Sequence, residues 1–190
     1  MTVAGIVLAA GAGRRFSASG GVGAKQRASV GGVPIVAAAL GAAVGAGLDA
    51  VVLVQGATDL SDLVPAGVIV LDNPRWDEGL ATSLQVALDH AREAGHDAVI
   101  VGLGDQPGVR SESWRAVALA AAVPPIAVAT YGGRRGNPVR LHRSVWDLVP
   151  TTGDEGARAV MQRRPDLVRE IPCSGDPHDV DTLEDLDRWS

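Results

Sequence analysis

Apolar and polar positions fall in blocks along this chain rather than alternating residue by residue. Short runs at Val3–Leu8, 50–54, 68–71, 98–101 and 126–129 are apolar, rich in β-branched residues and bounded by Gly, Asp or Pro. That pattern predicts strands buried on both faces. Between them, 35–46, 80–94 and 113–122 are longer and Ala-rich, which predicts helices. The middle one places Leu80, Leu84, Ala87 and Leu88 on one helical face, with Gln85, Asp89 and Arg92 elsewhere and Gly95 as a stop. Alternating strand and helix predicts an α/β fold, with a mainly parallel sheet covered on both sides. After Pro138 the pattern becomes more polar. Helices near Arg143–Leu148 and 153–161 and a short strand near 167–171 are expected there. Only the Gly/Ser-rich 17–23 is of low complexity, so one domain spanning 1–190 is expected.

Composition narrows the class. A chain of 190 residues can bury roughly 70% of its unfolded surface. With 46% hydrophobic but only 3% aromatic residues, that core must be built from Ala, Val, Leu and Ile. The net charge of −5 argues against a nucleic-acid partner. The cations cluster locally, at Arg14 and Arg15, Arg134 and Arg135, and Arg163 and Arg164, which suits a small anionic ligand. A lone cysteine, Cys173, excludes an internal disulfide and a Cys-based zinc site. The apolar start has no basic region before it and is too short to span a bilayer, so no membrane association and a cytoplasmic location are expected.

In α/β sheets ligands sit at the carboxyl ends of the strands, and the chemistry-bearing residues follow strands here. The first strand runs into Ala9, Ala10, Gly11, Ala12 and Gly13, then Arg14, Arg15 and, further on, Lys25. Small residues leave backbone amides uncovered, and nearby cations make the loop a phosphate cradle. An ordinary tight turn is the alternative for Gly11 and Gly13 alone. A dinucleotide fingerprint is incomplete, because Phe16 stands where its third glycine belongs. In Gly104-Asp105-Gln106-Pro107 a carboxylate just past a central strand can hold Mg²⁺ against a triphosphate. Ser111 is expected to cap the next helix, which leaves Asp105 unexplained by capping.

The stretch 131–139 holds Gly132, Gly133, Arg134, Arg135, Gly136, Asn137 and Pro138, and is expected to be an irregular loop or a plain hairpin turn. Residues 152–158 lead into a helix, either as an anion site or simply as its cap. Asp179 and Asp181 flank Val180 in an extended segment and are expected to point the same way, a candidate metal pair. Glu184 and Asp185 fit the first turn of a helix. His90, His96, His142 and His178 lack ligand spacing.

Together the motifs resemble the MobA-like nucleotidyltransferases, and within them the molybdenum cofactor cytidylyltransferase branch. The match is carried by Leu8-Ala9-Ala10-Gly11 with Arg15 and Lys25; by Asn73-Pro74-Arg75-Trp76-Asp77-Glu78-Gly79 with Ser83-Leu84; and by Gly104-Asp105-Gln106-Pro107. It continues through Arg135-Gly136-Asn137-Pro138-Val139, Gly153-Asp154-Glu155-Gly156-Ala157-Arg158 and Asp179-Val180-Asp181-Thr182 with Glu184-Asp185-Leu186. The resemblance implies a three-layer αβα, Rossmann-like nucleotide-diphospho-sugar transferase fold with a mostly parallel sheet. It implies attack by a molybdopterin phosphate on the α-phosphate of CTP, with release of pyrophosphate.

In that scheme Leu8, Ala9, Ala10, Gly11, Ala12, Gly13 and Ser83 meet the nucleotide, and Arg15, Lys25 and Asp105 are catalytic. Asp105 and Asp181 hold Mg²⁺. Arg135, Gly136, Asn137, Pro138, Gly153, Asp154 and Arg158 line the acceptor side. A molybdoenzyme or maturation factor is an implied partner. Ala10 stands where the guanylyl branch carries glycine, and so favours CTP. Use of GTP, another phosphorylated acceptor, or a non-catalytic accessory role are the other readings. Three positions depart from the family pattern. The spacer 16–24 is long, so that Lys25 is expected to reach the triphosphate only through ordering on binding, or not at all; Asn137 replaces histidine; and Leu183 replaces proline.

Overall fold

The computed structural model describes residues 1–189; Ser190, the last position of the expected 1–190 domain, lies outside the described residues. The elements in chain order are β1 (Val3–Leu8), α1 (Arg14–Ala18), β2 (Ser29–Val30), β3 (Val33–Pro34), α2 (Ile35–Gly45), β4 (Ala50–Gln55) and β5 (Ile69–Asp72). Then follow α3 (Leu80–Glu93), β6 (Ala98–Leu103), α4 (Ser111–Ala118), β7 (Ile126–Tyr131), β8 (Arg134–His142), α5 (Ala157–Arg163), β9 (Val168–Pro172) and α6 (Leu183–Asp187). A seven-stranded sheet runs β5-β4-β1-β6-β8-β7-β9, and β2 pairs with β3 in a separate small ribbon.

The sheet is mostly parallel, as the apolar runs predict; only β8 lies antiparallel to its neighbours β6 and β7. In β1 the side chains divide by parity. Ala4, Ile6 and Leu8 join α3, α5 and Trp146 on one face, while Val3 and Val7 join α2, α4 and Trp114 on the other. Helices therefore cover both faces, which gives the three-layer architecture. The central strands β1, β4 and β6 are apolar almost throughout because neither of their faces meets water. Among the described residues no helix is long and apolar enough to cross a membrane.

Two sequence expectations fail in instructive ways. The segment 134–139 is not irregular: it is the first part of β8, and Gly132 and Gly133, at φ +57° and +80°, make the hairpin turn that leads into it from β7. Pro138 argues against a strand by its missing N–H, but a bulge absorbs it. Val128 pairs with Val139 and Ala129 with Gly136, leaving Asn137 and Pro138 outside the ladder. The composition change at Pro138 is thus the middle of a strand, and β8 and β9 complete the main sheet. Nor is Ser111 a cap. It is the first residue of α4, Arg110 precedes it without a side-chain bond, and a Cβ on Gly45 would lie 2.7 Å from Ser111 Oγ. Ser111 marks the close α2–α4 approach instead.

Arg140, fully buried on β8, is a lock for this half of the sheet. Its guanidinium donates to the carbonyls of Ala118, Ala120 and Ala121, the unpaired end of α4. Burial, and then the nearby Arg169 charge, hold its pKa below the ordinary arginine value, so these carbonyls supply the compensation. Arg140→Met is expected to destabilise the protein by about 2–4 kcal/mol, read as a lower urea midpoint at unchanged m-value.

Candidate active site at the carboxyl edge of the sheet

Because β1, β4 and β6 are parallel, their carboxyl ends share one edge. The loop after β1 is held from both sides there: the Ala9 amide donates to Val54 O at 2.9 Å, and the Gly104 amide donates to Leu8 O at 2.9 Å. A Cβ on Gly104 would stand 2.8 Å from Ala9 Cβ, so only glycine lets the two loops approach this closely. Inside the loop the carbonyls of Ala9, Ala10 and Gly11 are taken. Gln26 Nε2 donates to Ala9 O at 3.1 Å and to Gly11 O at 2.5 Å, and the Ala57 amide donates to Ala10 O at 3.0 Å. Among the described residues, no protein acceptor is bonded to the amides of Ala10, Gly11, Ala12 or Gly13. Four donors are left over against one acceptor, the Ala12 carbonyl, which is the polarity an anion needs.

Lys25 sits directly behind this loop. Gly13, at φ +63°, has room for no Cβ, since one would lie 2.8 Å from Lys25 Cβ. The long spacer is folded: Phe16 is buried under 16–24, and Lys25–Arg27 form a 3₁₀ turn. Lys25 Nζ lies 2.7 Å from Asp105 Oδ2 and 2.9 Å from Asp181 Oδ1, so in this fold it already reaches the cleft. Arg15 Nη1 lies 2.8 Å from Asp181 Oδ2, although its side chain is 77% exposed. Burial alone would lower the Lys25 pKa. The Asp105 carboxylate and then Asp181 outweigh it and hold the ammonium above its ordinary range.

The C-terminal segment is strapped across the post-β6 loop. The amide of Val180, itself buried, donates to Asp105 O at 2.9 Å, and this backbone bond holds Asp181 against Asp105. Asp179 and Asp181 thus both reach the cleft. Burial, then the Asp105 charge, raise the Asp179 carboxyl pKa. Asp105 Oδ1 is buried with no hydrogen-bond partner, an anionic oxygen that calls for a cation or a donor from a ligand. Thr182 caps α6 and forms a capping box with Asp185, as the acidic first turn suggests.

Two cavities open on this edge, of about 340 and about 720 Å³. The first lies under the β1 loop, lined by Ala9, Ala10, Gly11, Gly13, Lys25 and Ser83; the second lies over β7 and β8, lined by Arg135, Gly136, Asn137 and Arg158. They share Leu8, Arg15, Asp105, Asp154 and Asp181, so they form two arms of one cleft with the carboxylates at the junction. Ala12, Pro138 and Gly153 line neither arm. Gly153 is instead a brace: its carbonyl accepts from the Ala81 amide at 2.8 Å and its amide donates to Glu78 O at 3.1 Å.

One family model spans the cradle of free amides, the buried lysine and the carboxylate after the central strand. The MobA-like NTP transferase domain matches residues 5–168. The chain belongs to this family. It has the nucleotidyltransferase fold that goes with it, with nucleotide-transferring enzymes among its structural neighbours. Nicotine blue oxidoreductase of Paenarthrobacter nicotinovorans is 31% identical over 202 residues, covering 98% of this chain and 95% of that protein. Rv0371c of Mycobacterium tuberculosis H37Rv is 28% identical, with a TM-score of 0.80 over 100% of this chain and 97% of that one. A complex of Rv0371c with manganese aligns at a TM-score of 0.76, 28% identity, and 100% and 98% coverage. A nucleotidyl transferase from Methanothermobacter has a TM-score of 0.84 at 23% identity, covering 98% of this chain and 95% of that one, a likeness of fold.

Within the MobA-like frame the other motifs acquire local causes. Asn73, buried at the end of β5, donates to Thr82 Oγ1 and Ser83 Oγ, both at 2.9 Å, and accepts from the Arg75 amide. It therefore fixes the start of α3, and with it Ser83, against the cleft. Gln26 and Trp76 also line the first arm, and sequence reasoning assigned Gln26 no role. Its only sequence signal is adjacency to Lys25. Gln106 bonds Asp179 and Asn137 across three distant segments, a relation no spacing rule reveals.

Proposed function

We propose that this chain, acting as one unit, is a Mg²⁺-dependent cytidylyltransferase that transfers CMP from CTP to a molybdopterin-type phosphate acceptor. The observation carrying this reading is that two arms of one cleft meet at Asp105, Asp181 and Arg15. A nucleotide in the first arm and a phosphorylated acceptor in the second would bring their phosphates together at that junction. An acceptor phosphate oxygen attacks the α-phosphorus, the bond to the β-phosphate oxygen breaks, and pyrophosphate leaves. The attacking phosphate is already ionised, so alignment and charge neutralisation matter more than a strong base.

In this reading the amides of Ala10, Gly11 and Gly13 take the triphosphate oxygens, and Lys25 and Arg15 neutralise their charge. Asp105 and Asp181 would hold Mg²⁺, and the unpartnered Asp105 Oδ1 fits that role. Bound there, the metal supplies charge neutralisation at the reacting phosphates. The manganese complex of Rv0371c supports a divalent cation in this family. On the acceptor side, Arg135 and Arg158 offer cations and Asn137 a polar contact. Transfer of the product to a molybdoenzyme is the corresponding partner role.

Ala10 supports cytosine because its methyl group narrows the first arm beside Gly56 and Trp76. A Cβ on Gly56 would lie 3.0 Å from Ala10 Cβ and 2.7 Å from Trp76 Cβ. Pyrophosphate release with molybdopterin and either CTP or GTP tests the reading. CTP is expected to be preferred, and Ala10→Gly is expected to move the CTP/GTP ratio about 10- to 100-fold toward GTP. No pyrophosphate with any nucleotide would reject it.

One observation favours a second reading: the relative named nicotine blue oxidoreductase covers nearly the whole chain. Against it, Phe16 occupies the place of the third fingerprint glycine and is buried as an anchor for the spacer. Reduction of nicotine blue at the expense of a nicotinamide cofactor, without pyrophosphate release, is the result that would select the oxidoreductase.

A further inference from the structure

The second arm contains a chain of amides whose direction is fixed by its far end. Gln106 is buried, and its Nε2 donates to Pro177 O at 2.8 Å and to Asp179 Oδ1 at 2.7 Å. A backbone carbonyl can only accept, so the Gln106 amide group must face Pro177 whatever the charge on Asp179. Its Oε1 is then turned toward Asn137, which donates to it from Nδ2 at 3.1 Å. Asn137 cannot reverse without placing oxygen against oxygen. Tyr131 Oη donates to Asn137 O at 2.7 Å and holds the backbone at the same point.

The β8 bulge completes the arrangement. Asn137 lies outside the β7–β8 ladder and lines the larger arm. Among the described residues nothing donates to Asn137 Oδ1, and that oxygen is not buried. The wall of the arm therefore presents an oriented acceptor, fixed through Gln106 by a carbonyl on the C-terminal segment.

We infer that Asn137 is a specificity-determining residue, set by Gln106, that selects acceptors presenting a ring or exocyclic N–H donor to the larger arm. The inference deepens the cytidylyltransferase reading, because it states what the acceptor must carry besides its phosphate. A heterocycle with a carbonyl at that position would set two oxygens against each other. Gln106 acts as a positioning residue; Asn137 makes the contact.

Binding of 6-hydroxymethylpterin phosphate, its 3-methyl analogue and the corresponding lumazine phosphate tests this by calorimetry. The first carries both N–H donors, and each of the others lacks one. The wild-type protein is expected to bind one of the two analogues about tenfold more weakly than the pterin. In Asn137→Leu and in Gln106→Met that preference is expected to fall to near unity, while CTP affinity stays within about twofold of wild type. Retained CTP binding also shows that the variants are folded. Equal wild-type affinity for all three probes, or an undiminished preference in both variants, overturns the inference. Failure of the cytidylyltransferase reading shows separately as absent pyrophosphate release, whereas these probes report ligand selection without turnover.

Discussion

Asp105→Asn is expected to reduce pyrophosphate release by about 10³-fold while leaving the melting temperature nearly unchanged. The substitution keeps the shape of the side chain and an oxygen facing Lys25, but removes the charge at the junction of the two arms. The effects on stability oppose each other. The Lys25 pair, at 2.7 Å, is weakened. Against this, Asp179, whose carboxyl pKa is raised by burial and then by the Asp105 charge, loses a repulsive neighbour. The backbone bond from Val180 to Asp105 O does not depend on the side chain, so the C-terminal strap remains. Turnover measured alongside a thermal melt by circular dichroism separates chemistry from folding. Activity within a few-fold of wild type would remove Asp105 from the proposed metal site.

The fold was legible because its central strands are buried on both faces, and such strands appear in the sequence as unbroken apolar runs. β1, β4 and β6 could therefore be located, and the parallel sheet argued, without any contact information. β8 was hidden for a physical reason: glycines, arginines and a proline contradict a strand pattern, and the bulge that accommodates them depends on pairing with β7. The cleft was partly legible for a related reason. Residues that follow strands, Gly11, Gly13 and Asp105, carry their position in the topology. Gln26, and the Gln106–Asn137 bond, could not be found that way. Their roles arise from where 26, 106 and 137 meet in space, across separations that periodicity does not encode. Lys25 shows the converse. The spacer length suggested a residue that must be recruited, whereas burial of Phe16 and the close Gly13 contact fold the spacer back and deliver Lys25 to the carboxylates.

Lys25→Met is expected to have two effects of opposite sign. Turnover with CTP should fall about 10²- to 10³-fold, because a buried cation at the triphosphate cradle is lost. Divalent-cation affinity measured in the absence of nucleotide should rise about tenfold, since Nζ now lies within 2.9 Å of both Asp105 and Asp181 and competes for the same pair of carboxylates. Manganese titration followed by electron paramagnetic resonance reads this without turnover, and CTP should narrow the difference by drawing Lys25 away from the carboxylates. The pH dependence of stability offers an independent check. The Lys25 pKa in the folded protein is raised above its ordinary 10.5, so the pair's contribution is fully present below that value and disappears as pH rises through the higher folded value. Urea midpoints of the wild type should therefore decline in that alkaline window by a component that Lys25→Met lacks. Unchanged manganese affinity together with an unchanged alkaline profile would mean that the ammonium neither competes with the cation nor stabilises the carboxylate pair.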